Sequence, residues 1–168
     1  MITVLAVCAA LAAIIAVALI FAPRAEIVTQ IDISASPDEV WRVLADTNAY
    51  PDWNPFLVRM DGGLVEGAVL TNTMQPSGGA AMTFRPTILT VVPGRELRWL
   101  GRLFLPRIFD GEHYFLLQRQ AEGTRLVHGE KFAGILLWFI DPTRFKPDFE
   151  AMNHALRTRV EASIVRDR

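Results

Sequence analysis

The chain has little that could bind a metal, cross-link or hold nucleic acid, and each shortage removes a class of function. Its single cysteine, Cys8, excludes an intrachain disulfide. With only His113, His128 and His154 besides, no zinc ligand set stands at a recognised spacing. The net charge is -1 and the arginines are scattered singly, so the basic field that a nucleic-acid binder needs is missing. No HExxH, GxGxxG, P-loop or GxSxG pattern occurs, which leaves zincin, dinucleotide, nucleotide-phosphate and serine-hydrolase readings without support. Neither a metal nor another cofactor is expected. Internal repeats, low-complexity tracts and a second domain are also lacking.

Charge is absent from Ile2 to Ala22, and that absence is informative. As a helix this run would extend about 31 Å, close to the hydrocarbon thickness of a bilayer. A cleaved signal peptide would need a basic start and small residues before the cut, but no Lys or Arg precedes Arg24 and Phe21 is bulky. A lipoprotein reading of Cys8 lacks a preceding apolar segment. Residues 1–23 are therefore expected to form a single-pass membrane anchor, and 24–168 one domain. Arg24 flanks only the C-terminal side of the run, which places the domain in the cytoplasm.

The domain begins with an alternating strand, Glu26 to Ser34, in which Ile27, Thr29, Ile31 and Ile33 share a face. Ser36-Pro37-Asp38-Glu39 then supplies an N-cap, a proline at the first helical position and a capping-box glutamate. Asn48 to Phe56 is a stiff aromatic corner in which Tyr50 and Trp53 either plug the core or, for Trp53, wall a ligand. Strands are expected at 57–60, 68–75, 82–92 and 96–103. From about Pro147 to Val165, Phe149, Met152, Leu156, Val160 and Ile164 recur at helical spacing, which predicts a long amphipathic helix.

Gly111 to Gly134 reads as a hairpin turning at Glu122-Gly123. That register sets His113 opposite Phe132, Phe115 opposite Glu130 and Leu117 opposite His128, with all six on one mostly apolar, inward face. Glu130 should lose hydration there, and its pKa should rise. His113 is then its diagonal neighbour, and His128 lies two residues along the same strand. The two histidines are expected to stand too far apart to share a metal.

The stretches ISASPDEVWRVLADTNAYPDWNPF, RELRWLG, GEHYFLLQRQAEGTRLVHGEKFAG and FEAMNHALRTRVE resemble the polyketide cyclase/dehydrase-like branch of the START/Bet v 1-like (SRPBCC) superfamily. The resemblance spans roughly Ile27 to Ala162. It implies an α+β helix-grip fold, with a curved antiparallel sheet of about seven strands around a long C-terminal helix and a hydrophobic cavity between them. Members include ligand carriers and aromatase/cyclases.

On this reading the cavity wall comprises Trp53, Leu70, Asn72, Met74, Leu97, Trp99, His113, Phe115, Leu117, His128, Glu130, Phe132, Met152 and Leu156. Apolar walls with a few polar groups suit a small-molecule site. The leading expectation is membrane-tethered binding or transfer of a lipid or isoprenoid-like molecule. One alternative is a cyclase or dehydratase using Glu130 with His113 or His128 as acid/base. A structural Glu-His pair, or Glu130 at the sheet margin paired with Arg85, is the plainer account of the same residues. Another alternative is an interaction module with a filled core. Two apolar segments, 103–109 and 135–140, are expected to pack as a lid; beside an anchor they could also reach the bilayer interface.

Overall fold

The computed structural model describes residues 2–166. Helix α1 (Ile2–Ile20) is followed by β1 (Arg24–Ile33), α2 (Pro37–Ala45), α3 (Tyr50–Trp53) and strands β2 (Leu57–Asp61), β3 (Thr71–Met74), β4 (Met82–Phe84), β5 (Thr87–Val92), β6 (Glu96–Arg102), β7 (Asp110–Gln120) and β8 (Gly123–Ala133). Helix α4 (Lys146–Arg166) closes the chain. The fold is α+β, with an antiparallel sheet ordered β1-β8-β7-β6-β5, a smaller sheet β2-β3-β4 and the long C-terminal helix.

The strands expected at 68–75 and 82–92 each divide. Pro86 has no N–H for a ladder, so the second breaks at Arg85-Pro86 into β4 and β5. In the first, Ala68 and Leu70 bond to Ile88 and Pro86 beside β5, whereas 71–74 pairs with β2 and β4. One expected sheet of about seven strands thus becomes sheets of five and three strands, joined at this corner.

Local signals explain the helices around the sheet. Ser36 N–H donates to Glu39 Oε2 at 2.7 Å, and Glu39 N–H donates back to Ser36 Oγ at 3.4 Å, completing a capping box on α2. Val40 and Leu44 are buried beneath it. Tyr50 is buried, donates its hydroxyl to Leu44 O at 2.9 Å and meets the half-buried Trp53 edge-on, so this pair plugs the end of the core. On α4, Phe149, Met152, Leu156 and Val160 are at most 1% exposed and face the sheet. Helix α1 is uncharged, its Thr3–Ile20 window has mean hydropathy 2.9, and none of that window is buried. It is therefore long and apolar enough to cross a membrane, and it is not a core helix.

Candidate functional site

The β7–β8 hairpin turns one residue earlier than its sequence suggests. Gln120 pairs with Gly123, leaving Ala121-Glu122 as the turn. A turn at Glu122-Gly123 of the favoured hairpin type would force Glu122 to a positive φ. Instead the positive φ, 136°, falls on Gly123 just after the turn. A one-residue move of the turn shifts facing partners by two, so the inward face is kept and its pairs change. His113 now faces Glu130 directly, Phe115 faces His128, and Leu117 faces Leu126. The pairs His113–Phe132, Phe115–Glu130 and Leu117–His128 are corrected accordingly.

This register builds a buried chain of polar groups. Glu130 Oε2 lies 3.2 Å from His113 Nδ1, and His113 Nε2 lies 2.8 Å from His128 Nε2. The expected separation of the two imidazoles is thus overturned; their rings reach across the diagonal and touch. His128 Nδ1 is 2.7 Å from Asn153 Oδ1, Asn153 Nδ2 donates to Thr29 Oγ1 at 2.8 Å, and Thr29 Oγ1 donates to His128 O at 2.9 Å.

The direction of the donors can be read from the far end. Thr29 gives its only proton to a carbonyl, so it must accept from the Asn153 amide, which turns Asn153 Oδ1 towards His128. His128 therefore carries its proton on Nδ1 and offers a bare Nε2. His113 must donate through Nε2, which leaves its Nδ1 to share a proton with Glu130. When the chain is neutral, Glu130 is a carboxylic acid donating to His113.

Burial favours that neutral state. It pushes Glu130 up to about 8 and His113 down to about 3. His128 is held well below its ordinary value, first by burial and then by the neighbouring His113, against the opposing bonds from Asn153 and the Phe149 backbone. The rings are fixed by stacking: His113 on Trp99 at 4.5 Å, and His128 between Phe115 and Phe149 at 4.4 Å each. Arg85 is exposed, so the alternative pairing of Glu130 with Arg85 gives way to His113.

Glu130 is the accessible end of this chain, with 20% of its side chain exposed against 4% for His113. Its carboxyl occupies the space that a side chain on Gly111 would need, and that same space borders Phe132. Phe109 packs on Phe132 at 5.8 Å, and Leu137 is partly buried against the same core. From the apolar segments 103–109 and 135–140, Phe109 and Leu137 therefore pack inward at this end, whereas Phe104, Leu105, Trp138 and Phe139 stand exposed.

The rest of the inner face is closed. A side chain lining a void large enough for water would carry accessible surface, yet Leu70, Asn72, Leu97, Phe115, His128, Met152 and Leu156 carry 0%, and Trp99 1%. Leu117 and Phe132 are nearly covered, whereas Trp53 and Met74 are partly open. The expected cavity between sheet and helix is thus filled by its own walls in this conformation. Buried within it, Asn72 has no partner for either amide atom, and Trp53 Nε1 is also unpaired. Such atoms carry a desolvation cost of about 1–3 kcal/mol each unless something meets them.

Among the described residues, no group of three or more His, Cys, Asp and Glu is placed to hold a metal ion. His154 is exposed on α4 and outside the chain of polar groups. Thr29 and Asn153 were missed as site residues. Both had a signal: Thr29 stands in the inward alternation of β1, and Asn153 is four residues after Phe149, on the apolar side of α4.

Residues 24–161 match the model of the family described as polyketide cyclase/dehydrase and lipid transport. The chain belongs to this family. None of the curated proteins compared with it matches in sequence. Among solved structures, a protein of Chromobacterium violaceum aligns with TM-score 0.66 and 20% identity, over 81% of this chain and 96% of the other. Norcoclaurine synthase of Thalictrum flavum, in complex with dopamine and hydroxybenzaldehyde, aligns with TM-score 0.65 and 13% identity, over 87% and 91%. The di-domain ARO/CYC protein StfQ of steffimycin biosynthesis aligns with TM-score 0.58 and 12% identity, over 82% of this chain and 49% of its own. At such identities these likenesses show a shared fold and nothing finer.

Proposed function

We propose that this protein is a membrane-tethered member of the family that binds or transfers a hydrophobic small molecule, lipid or isoprenoid-like, between its sheet and α4. The observation that carries the reading is the polar chain itself. An apolar, aromatic core holds five linked polar groups, and the accessible end is a carboxyl kept protonated near neutral pH beside Phe132. A neutral acid can hydrogen-bond a ligand carbonyl or hydroxyl without bringing a charge into an apolar site. Asn72 supplies a second, unpartnered amide deeper on the same inner face. Because the interior is closed, entry requires the cover at Phe109 and Leu137 to move, as a ligand that selects a minor open state would demand. A filled core also fits an interaction module, but that reading leaves the buried chain and the orphaned Asn72 without a use.

The tether rests on α1, whose length and hydropathy suit a bilayer and whose apolar window is nowhere buried by the domain. Full-length protein purified from membranes and examined by native mass spectrometry should release one hydrophobic molecule per chain. Protein that is empty in every preparation, and that takes up no lipid from vesicles, would overturn the reading.

A second reading, proton-transfer catalysis of cyclase or dehydratase type, is favoured by one observation: Glu130 near 8 sits in line with His113, a poised donor with a relay behind it. Glu130→Gln should then abolish turnover of a candidate substrate while leaving its binding intact. Unchanged turnover would remove Glu130 from any mechanism.

A further inference from the structure

The end of the sheet where β1 begins gathers three segments into one ledge. Ile135 N–H donates to Arg107 O at 2.9 Å, Leu136 N–H to Ile108 O at 3.1 Å, and Gly134 N–H to Pro23 O at 3.1 Å. Arg107 also reaches back to α1: its Nη1 donates to Leu19 O at 3.0 Å and Ile20 O at 3.2 Å, carbonyls that the last turn of a helix leaves open. The loop therefore sits at the level of the helix end.

Its backbone is unusual. Phe104 and Arg107, with φ of 60° and 66°, are the non-glycine residues with positive φ among those described. That conformation costs energy for bulky side chains and tends to mark functional segments. Here it directs Arg107 onto α1 and Phe104 into solvent, where it is 88% exposed. Leu105, Trp138 and Phe139 are 68%, 54% and 84% exposed on the same ledge.

Beside the ledge lies a groove of about 580 Å³ lined in part by Arg24, Arg102, Arg107 and Lys131, with Glu26, Asp110 and Glu112 as its acids. Each acid is engaged. Glu26 accepts from the Tyr114 hydroxyl at 3.0 Å, Glu112 from Arg98, and Asp110 from Arg107 N–H at 3.1 Å while facing Arg102. Arg24 and Lys131 form no ion pair among the described residues; Arg24 faces Ala133, and Lys131 stands between Glu26 and Glu112 in the ladder with its amine over the Tyr114 ring at 5.9 Å, so neither cation is committed to a carboxylate partner.

We infer that this end of the domain is a bilayer-docking face. The side chains of Phe104, Leu105, Trp138 and Phe139 enter the interface of the membrane that α1 spans, and Arg24 and Lys131 meet anionic lipid headgroups. The inference rests on the tether proposed above and goes beyond it. Four large apolar side chains at one end of a small domain call for a partner. The bilayer is the partner in reach, because Arg107 holds the ledge against the last carbonyls of the spanning helix and so at the depth of its surface. Aromatic side chains with adjacent cations suit that depth, and free Arg and Lys there favour anionic lipid. Docking would turn Phe109, Leu137 and the Glu130 end of the inner face towards the membrane, giving a hydrophobic ligand a route that avoids water.

The test uses the full chain with Cys8→Ser in lipid nanodiscs, carrying one nitroxide label at Phe139→Cys or, at the opposite end, Glu122→Cys. Position 139 should lose accessibility to a water-soluble nickel chelate and gain it to oxygen, with position 122 showing the reverse. Replacing part of the phosphatidylcholine by phosphatidylglycerol should increase the shielding at 139, and Arg24→Gln with Lys131→Gln should remove that lipid dependence. A label at 139 as open to nickel as the one at 122, in a chain that survives an alkaline wash of the discs, overturns docking and spares the tether. Release by the wash overturns both. Equal shielding in the two lipids overturns the headgroup contact.

Discussion

Raising the pH from 6.5 to 8 should weaken this fold through one residue, and replacing Glu130 by glutamine should prevent it. The folded value of Glu130, about 8, lies above its ordinary 4.5, so the folded state keeps a proton that the unfolded chain releases. Its contribution is complete below pH 4.5 and is lost as the pH climbs through about 8. His113 has the opposite sign: its folded value of about 3 lies below 6.5, so its contribution is complete above 6.5 and is lost as the pH falls towards 3. His128 acts in the same direction as His113. Stability should therefore peak near pH 6.5. Above it the Glu130 contribution falls by roughly 1.6 kcal/mol by pH 8, partly offset by the last of the histidine contributions, for a net loss of roughly 1 kcal/mol. A glutamine keeps a donor facing His113 Nδ1, as the carboxylic acid does, but has no proton to lose. Glu130→Gln should match the wild type within about 1 kcal/mol at pH 6 and exceed it above pH 8. Urea unfolding of the full chain in nanodiscs, followed by near-ultraviolet circular dichroism, reads both curves. If the folded state instead held an ionised Glu130 beside a neutral His113, the wild type would not weaken over this range; an ionised Glu130 against a His113 cation would keep the slope, because it holds the same single proton, but would make the variant clearly the less stable protein at pH 6. Either result would refute the neutral chain.

Two further substitutions probe the same chain elsewhere. Asn153→Leu removes the acceptor for His128 Nδ1 and the donor to Thr29, and should cost about 1–3 kcal/mol in urea unfolding; no measurable loss would mean that Asn153 does not order the histidines. Gly111→Ala places a methyl group where the Glu130 carboxyl lies, so that the side chain must swing outward and leave His113. The variant should lose about 1 kcal/mol at pH 6.5 and show a flatter decline towards pH 8; a wild-type pH slope would show that the carboxyl had not moved.

What could be read from the chain and what could not differ in physical kind. Period-two alternation marked Thr29 and the hairpin's inward residues, period 3.6 marked the buried face of α4, and the capping box marked the start of α2, because each signal lies within a few neighbouring residues. The division of the sheet at Pro86 was available from the missing N–H but was masked by the apolar run around it.

The sequence by itself determined the uncharged α1, the α+β order of elements, the family resemblance and the inward face that carries Glu130, His113 and His128. It determined the face because parity survives a one-residue change in the turn. Only the tertiary structure decided which groups touch. The turn at Ala121-Glu122 set His113 against Glu130, the diagonal reach of two rings joined His113 to His128, and α4 brought Asn153 to the end of the chain across a sequence separation of 25 residues. It also decided that the space between sheet and helix is filled, which depends on volumes contributed from every element at once. Register and packing are properties of pairs distant in sequence, so they become definite only when the whole domain closes.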